Sequence, residues 1–259
     1  MQKKESLLNK IKLSGCRYST LGNLVAYNIK DTTFIRVFGD CFGIPDSTFE
    51  HLQSNIVISG AGCIESIYIT DSPIRTLTID MDPSVPSFKS LKLLNCKYLR
   101  EINFKSVNTS LLHSLDRSFM YCESLEKLDL SSFCLDNIYD MAQMCLECES
   151  LKSIKIGDAY LSNLTNMDSI FESCFSLTEI QLGNIDIPKC QDFRKIFREC
   201  CSLEHIDLSS VHVRDLRYAL YLFSGCSRLK EIIPPPEVQL DPKPSLEELI
   251  NGYSWQYVD

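Results

Sequence analysis

Glycine and positive charge are both scarce in this sequence. Only 10 of the 259 residues are glycine, and no glycine-rich phosphate-binding motif of the G-x-G-x-x-G or P-loop type occurs. Lysine and arginine number 26 against 34 aspartate and glutamate residues, which leaves a net charge of −8. Because binding to a phosphate backbone depends on a basic surface, this composition argues against a nucleic-acid-binding protein.

Long apolar runs are also missing. No stretch approaches the roughly 20 apolar residues that a membrane-spanning helix needs, so no membrane span is predicted. Residues 1–12 are interrupted by charged side chains and lack the continuous apolar region of a signal peptide. We therefore expect a cytoplasmic protein, or a secreted or surface protein if a signal peptide has been removed.

Histidine is rare and falls in no metal-binding motif. The four histidines have no H-E-x-x-H or comparable spacing: His51, His113, His205 and His212. One C-x-x-C pair exists, Cys145 and Cys148, but no second pair follows at a spacing that would complete a structural zinc site. We therefore predict no metal, no cofactor and no catalytic residues, and a protein that is not an enzyme.

Cysteine, in contrast, is abundant and periodic. Six of the 13 cysteines recur at steps of 26 residues: Cys96, Cys122, Cys148, Cys174, Cys200 and Cys226. A leucine follows three residues after each: Leu99, Leu125, Leu151, Leu177, Leu203 and Leu229. Six uninterrupted copies indicate a solenoid. We interpret the periodic cysteines as reduced thiols packed in the core, because free cysteine is among the most buried residue types.

One repeat unit predicts a strand, a turn and a short helix. Residues 125–130 alternate between apolar and polar side chains, which is typical of a strand. A turn follows, and Asn137 is a plausible helix N-cap. The next apolar residues are spaced by 3, 4 and 3, as on one face of a helix: Ile138, Met141, Cys145 and Cys148. Stacked units would form an α/β solenoid, with a parallel sheet on one face and short helices on the other.

The array is expected to be capped at both ends. Residues 1–54 are predicted to be an N-terminal cap, with strands at 24–29 and 33–38 and a short helix from Ser47 to Leu52; a small separate functional domain is the alternative. Residues 55–232 form the predicted solenoid, with shorter, strand-rich repeats before the regular array at 96–232. Residues 233–259 are predicted to be a C-terminal cap and tail, after the break at Pro234–Pro236 and a capping box from Ser245 to Glu248.

The repeat resembles a known family. The segments Leu128–Phe133, Asn137–Met141 and Cys148–Leu151 are similar to the BspA-like leucine-rich repeat, whose units read roughly LDLSSF, NVTDM, MF and C-SSL. The resemblance covers about residues 90–232. It implies a right-handed α/β solenoid, and it implies an adhesion-type protein that is often secreted or displayed on the cell surface.

The predicted binding site is the outward surface of the sheet, on the concave face. Its residues are polar, mixed in charge and different in each copy, which suits recognition of a protein partner through complementary charges. They are Glu101, Asn103, Lys127, Asp129, Ser153, Lys155, Glu179, Gln181, His205 and Asp207. A plain solvated sheet with binding at the caps is the alternative. The aromatic tail is a second candidate for partner binding, through Tyr253, Trp255 and Tyr257.

Three functions remain open from the sequence. The first is a non-enzymatic protein-interaction module that acts as an inhibitor, adaptor or recognition subunit. The second is an extracellular adhesion or host-binding protein, as the BspA-like resemblance implies. The third is an enzyme subunit with a site in the N-terminal segment. The partner and the oligomeric state are not evident from the residues.

Overall fold

A computed structural model describes most of the chain. It covers residues 17–21, 24–29, 33–38, 54–61, 63–72, 74–214, 216, 218–238 and 244–252, with side chains from residue 55 onward. The predicted helix from Ser47 to Leu52 lies outside the described residues, as do Tyr253, Trp255 and Tyr257 of the predicted tail site.

The described chain is built from short strands and one helix. In chain order the strands are β1 (Arg17–Leu21), β2 (Leu24–Ile29), β3 (Thr33–Phe38), β4 (Ser54–Gly60), β5 (Ile64–Thr70), β6 (Ile74–Met81), β7 (Ser90–Leu94), β8 (Glu101–Ser106), β9 (Lys127–Asp129), β10 (Ser153–Ile156), β11 (Ala159–Tyr160), β12 (Glu179–Leu182), β13 (Ile185–Ile187), β14 (His205–Asp207), β15 (Val211–Val213) and β16 (Glu231–Ile233). The helix α1 spans Leu246–Ile250.

Parallel pairing between successive coils joins these strands. One sheet has the order β1-β2-β4-β6-β8, and a second has the order β3-β5-β7. All pairs in them are parallel except β1 with β2, which is antiparallel. The strands predicted at 24–29 and 33–38 are confirmed as β2 and β3, and they belong to different sheets.

The regular coils continue this arrangement with shorter strands. On one side β9, β10 and β12 form a parallel sheet, and β14 pairs with β16 in the same manner. On a second side β11, β13 and β15 form another parallel sheet, where the sequence predicted only a turn. Residues 26 apart are direct partners, as Leu128 and Ile180 are on either side of Ile154. The sequence repeat therefore corresponds to one coil of a parallel β-solenoid.

The periodic cysteines lie in the core of the solenoid. All six have no exposed surface, and they form a column through successive coils. Each of the last five thiols donates a hydrogen bond to a carbonyl of the preceding coil; for Cys148 the acceptor is the Phe119 oxygen at 3.1 Å. A thiol is small, largely apolar and a weak donor, so it fits a buried position beside a backbone carbonyl.

The predicted short helices are wrong. In the segment that contains Met141, Cys145 and Cys148, the residues Gln143 and Glu147 have φ of 53° and 56°, which an α-helix does not allow. The amides of alternate residues donate to the next coil, as Gln143 does to the Asp168 oxygen at 2.8 Å. The chain therefore forms a row of tight turns bonded between coils, and we call residues 113–122 and their equivalents in later coils the turn ladder.

The N-cap prediction for Asn137 is wrong for the same reason. No helix follows it, and its side-chain amide donates instead to the Ser110 carbonyl at 3.0 Å. The capping function moves to Asp140, whose Oδ1 accepts the Ala142 amide at 2.9 Å and closes a local turn. The apolar spacing still selected the buried residues correctly, since Ile138, Met141, Cys145 and Cys148 are all buried.

The capping box at the start of α1 is confirmed. The Glu248 amide donates to Ser245 Oγ at 3.2 Å, and the Ser245 amide donates to Glu248 Oε2 at 2.7 Å. Hydrogen bonds from the Ser245 amide and hydroxyl lower the pKa of Glu248. The division into caps and solenoid remains a prediction.

Candidate partner-binding surface

The ten predicted site residues lie on one set of strands and point away from the core. We call them the sheet face: Glu101 and Asn103 of β8, Lys127 and Asp129 of β9, Ser153 and Lys155 of β10, Glu179 and Gln181 of β12, and His205 and Asp207 of β14. None of them is buried, because successive residues of a strand alternate between the two faces of a sheet.

The register brings the central part of the sheet face together. Ser153 pairs with Lys127 on one side and with Glu179 on the other. Lys155 likewise pairs with Asp129 and Gln181. Neighbouring parallel strands lie about 4.8 Å apart, so these six residues form a compact polar patch. His205 and Asp207 belong to the separate β14-β16 pair, so the described pairing does not continue from β12 to β14.

Two carboxylates of the sheet face are held by their own turns. Asp129 Oδ1 accepts hydrogen bonds from the Ser131 hydroxyl at 2.6 Å and from its amide at 2.9 Å, and these bonds lower the pKa of Asp129. Asp207 is held in the same way by Ser209, with the same effect on its pKa. The D-x-S spacing of the repeat therefore closes the turn after the strand, and it leaves these carboxylates fixed and ionised.

The two lysines of the sheet face lie outside the ion pairs between coils, although the charge of Lys155 contributes to lowering the pKa of its cross-strand neighbour Asp129. In the part of the chain that the structure describes, neither Lys127 nor Lys155 forms an ion pair. Both side chains belong to exposed residues on adjacent strands. From the strand spacing and the residue rise, their Cα atoms lie about 8 Å apart. The arrangement presents two exposed cations beside fixed carboxylates.

Next to the sheet face lies a row of charged residues that the sequence analysis missed, and its charges, unlike those of Lys127 and Lys155, form ion pairs between coils. Glu126 and Lys152 form an ion pair at 2.8 Å between coils, and Glu204 pairs with Lys230 at 2.5 Å. The hydrogen bond and charge of Lys152 lower the pKa of Glu126, and those of Lys230 lower the pKa of Glu204. Opposite charges at a spacing of 26 residues were the available signal. These charges are satisfied within the protein, so they are less available to a partner.

A further polar cluster on the β11-β13-β15 sheet was also missed. The register places Asp186 between Tyr160 and His212. His212 Nδ1 lies 2.8 Å from Glu237 Oε1, and the Arg214 guanidinium lies 3.3 Å from Asp186 Oδ2. The other Asp186 oxygen is buried with no hydrogen-bond partner among the described residues. The spacing of 26 residues from Tyr160 to Asp186 to His212 was the signal for this row.

The C-x-x-C pair has the chemistry of core thiols. Cys145 and Cys148 are both fully buried, and burial raises the pKa of Cys145 well above its usual value. Burial likewise raises the pKa of Cys200, whereas its neighbour Cys201 is half-buried and its thiol donates to the Gly225 carbonyl at 3.5 Å. A thiol held protonated is a poor nucleophile and a poor metal ligand.

Two other features are absent from the described residues. No group of three or more histidine, cysteine, aspartate or glutamate side chains there is placed to hold a metal ion. No helix among those residues is long enough and apolar enough to span a membrane.

Comparison with protein families identifies the repeat region. A family model described as "Mycoplasma protein of unknown function, DUF285" matches residues 95–177 and 113–234, which together make up more than half of the chain. The chain belongs to the DUF285 family. All ten sheet-face residues lie inside the region matched by the family model, and residues 253–259 lie beyond it.

Two solved structures are similar to this chain at low identity. A leucine-rich repeat protein of T. pallidum is 12% identical, with 73% of this chain and 87% of that chain covered and a TM-score of 0.30. A leucine-rich cell surface protein of Faecalibacterium prausnitzii is 13% identical, with 86% and 94% covered and a TM-score of 0.17. These scores are too low to transfer fold or function. No curated protein matches the sequence.

Proposed function

We propose that the protein is a non-enzymatic interaction module that binds a protein partner through the sheet face. The observation that carries the proposal is the contrast between two neighbouring rows of charge. Glu126 and Lys152 neutralise each other between coils, whereas Lys127 and Lys155 have no ion pair among the described residues. Exposed cations on a rigid, register-aligned sheet suit a partner that presents carboxylates at a matching spacing.

Two settings fit this activity. One is a cytoplasmic inhibitor, adaptor or recognition subunit. The other is a cell-surface adhesion or host-binding protein, which is what the BspA-like resemblance of the repeat implies. An enzyme subunit with a site in residues 1–54 is the remaining alternative, and the side chains of that segment lie outside the described residues.

The experiment is a binding measurement with reversed charges. Partners would be captured with a photo-crosslinker at Ser153, which lies between Lys127 and Glu179 in the register. The captured partner would then be titrated against the double variant Lys127→Glu, Lys155→Glu. We expect its affinity to fall roughly 10- to 100-fold, because two attractive contacts become repulsive.

The matched control keeps the same change of charge on a different side of the coil. Arg117→Glu and Lys195→Glu lie on the turn ladder and should leave the affinity unchanged. Circular dichroism should show all variants folded. Equal losses in both double variants would mean that only the net charge matters, and an unchanged affinity in the first would exclude the sheet face as the site.

A further inference from the structure

The interior of the regular coils is not completely filled by side chains. The structure contains a cavity of about 60 Å³ there. Its lining comes from all three sides of the coils, so the cavity lies on the axis of the solenoid. Representative lining residues are Ile156 and Leu182 beneath the sheet face, Ile187 and Val213 of β13 and β15, and Phe171 and Phe197 of the turn ladder.

The lining of this cavity is apolar throughout. The residues that surround it are all methionine, isoleucine, leucine, phenylalanine, valine or proline. A water molecule needs roughly 10–15 Å³ and two to four polar partners, so the space is sufficient for water but the side chains offer it no hydrogen bonds. A polar or charged ligand would give up its hydrogen bonds to water on entering, which costs free energy. The cavity therefore suits a molecule that is uncharged and apolar.

One wall of the cavity has a gap in its backbone pairing, which we call the slit. It lies between β12 and β14, which belong to different sheets. The same two coils are bonded on either side of it, by the Ser202 amide to the Phe175 oxygen at 3.1 Å and by the Ile185 amide to the Ser210 oxygen at 2.9 Å. The inward residues of β12 line the cavity and are only half-buried, whereas those of β10 are buried. The slit therefore gives the cavity an approach from solvent.

We propose that this cavity is a binding site for a small, uncharged apolar molecule. An apolar cavity of roughly 150 Å³ takes benzene or xenon. The cavity here is smaller, at about 60 Å³, so its ligand is closer in size to xenon or a short hydrocarbon than to an aromatic ring. The site is separate from the sheet face, because it binds through apolar contacts inside the coils and no charged side chain takes part.

Xenon is the direct probe, because it is small, uncharged and apolar. In methyl-labelled protein, nuclear magnetic resonance spectra recorded at rising xenon pressure should show saturable shifts of the Ile187 and Val213 methyl groups. The methyl groups of Leu77 and Ile79 are fully buried but do not line the cavity, so they should not shift. The absence of shifts, or shifts of all methyl groups that grow without saturation, would overturn the proposal.

A substitution that fills the cavity tests where xenon binds. Val213→Leu adds a methylene group to the lining and should weaken xenon binding at least about 5-fold. Val238→Leu makes the same change at another buried valine, which does not line the cavity, and should leave the affinity unchanged. Circular dichroism should show both variants folded. A Val213→Leu variant that binds xenon as tightly as the unsubstituted protein would refute the site.

A substitution that enlarges the cavity provides an independent test with benzene. Ile187→Ala adds the volume of the removed side chain to the existing cavity, so this variant should bind benzene at least about 10-fold more tightly than the unsubstituted protein. Ile79→Ala removes the same atoms from a buried position away from the cavity, and it should bind benzene no better than the unsubstituted protein. Benzene binding to neither variant, or equally to both, would contradict the proposal.

Discussion

The positive φ angles of the turn ladder predict that replacing Glu147 with glycine is not destabilising in the way that it would be in a helix. Glu147 has φ of 56°, and the left-handed conformation costs a residue with a side chain roughly 1–2 kcal/mol. Glycine occurs naturally at the equivalent position of the last coil, where Gly225 has φ of 80°. In the predicted helix the same substitution would lower the free energy of unfolding by about 1 kcal/mol. The two backbones therefore predict opposite signs.

Glu149→Gly is the matched control. It removes the same side chain two residues away, at an exposed position that does not have a positive φ. Both substitutions raise the entropy of the unfolded chain equally, so that contribution cancels between them. We expect Glu147→Gly to be more stable than Glu149→Gly by about 1–2 kcal/mol, which corresponds to roughly 2–8 °C in melting temperature.

Urea denaturation, followed by circular dichroism, would measure this difference. The two variants should show the same dependence on urea concentration and differ in midpoint. If Glu147→Gly is less stable than Glu149→Gly, the left-handed turns are wrong and a helix is the better description of this segment.

Three further predictions follow from the core and its thiols. Phe197 stacks between Phe171 and Phe223, with ring centroids 5.8 and 5.6 Å away, so Phe197→Ala should lower the free energy of unfolding by about 3–5 kcal/mol in a denaturation experiment, whereas the exposed Phe175→Ala should change it by less than about 0.5 kcal/mol. Burial raises the pKa of Cys190 from 9.0 to about 12, so between these pH values the folded thiol stays protonated while the unfolded one ionises. The free energy of unfolding should therefore fall as pH rises from about 9 to 12, and Cys190→Ala should weaken that dependence. A denaturation midpoint that does not change with pH would contradict this expectation. Protein isolated without reductant should release its core thiols to a thiol reagent only on denaturation, and oxidised cysteines would argue against a cytoplasmic location.

The helix prediction failed for an identifiable reason. A spacing of 3, 4 and 3 predicts which residues face the core: Ile138, Met141, Cys145 and Cys148. All four are buried. A helix and a row of tight turns both satisfy that spacing. They differ in where the amides donate, and the acceptors here lie in the next coil, 25 residues further along the chain.

On the sheet face, too, the sequence predicted which residues face outward but not their contacts with other coils. Alternation along each strand was sufficient to predict that Lys127 and Lys155 face outward, because the side-chain period of a strand is two. It could not predict that the lysines lack ion pairs among the described residues while Glu126 and Lys152 form one, because such pairing depends on neighbours from other coils.

The sequence by itself determined the period, the buried residues and the outward rows, since a repeat of 26 residues with constant apolar positions specifies what each coil must bury. Only the tertiary structure decided the backbone of the turn ladder and the ion pairs between coils. These features depend on hydrogen bonds and charges between coils, and such contacts exist only once one coil has stacked on the next.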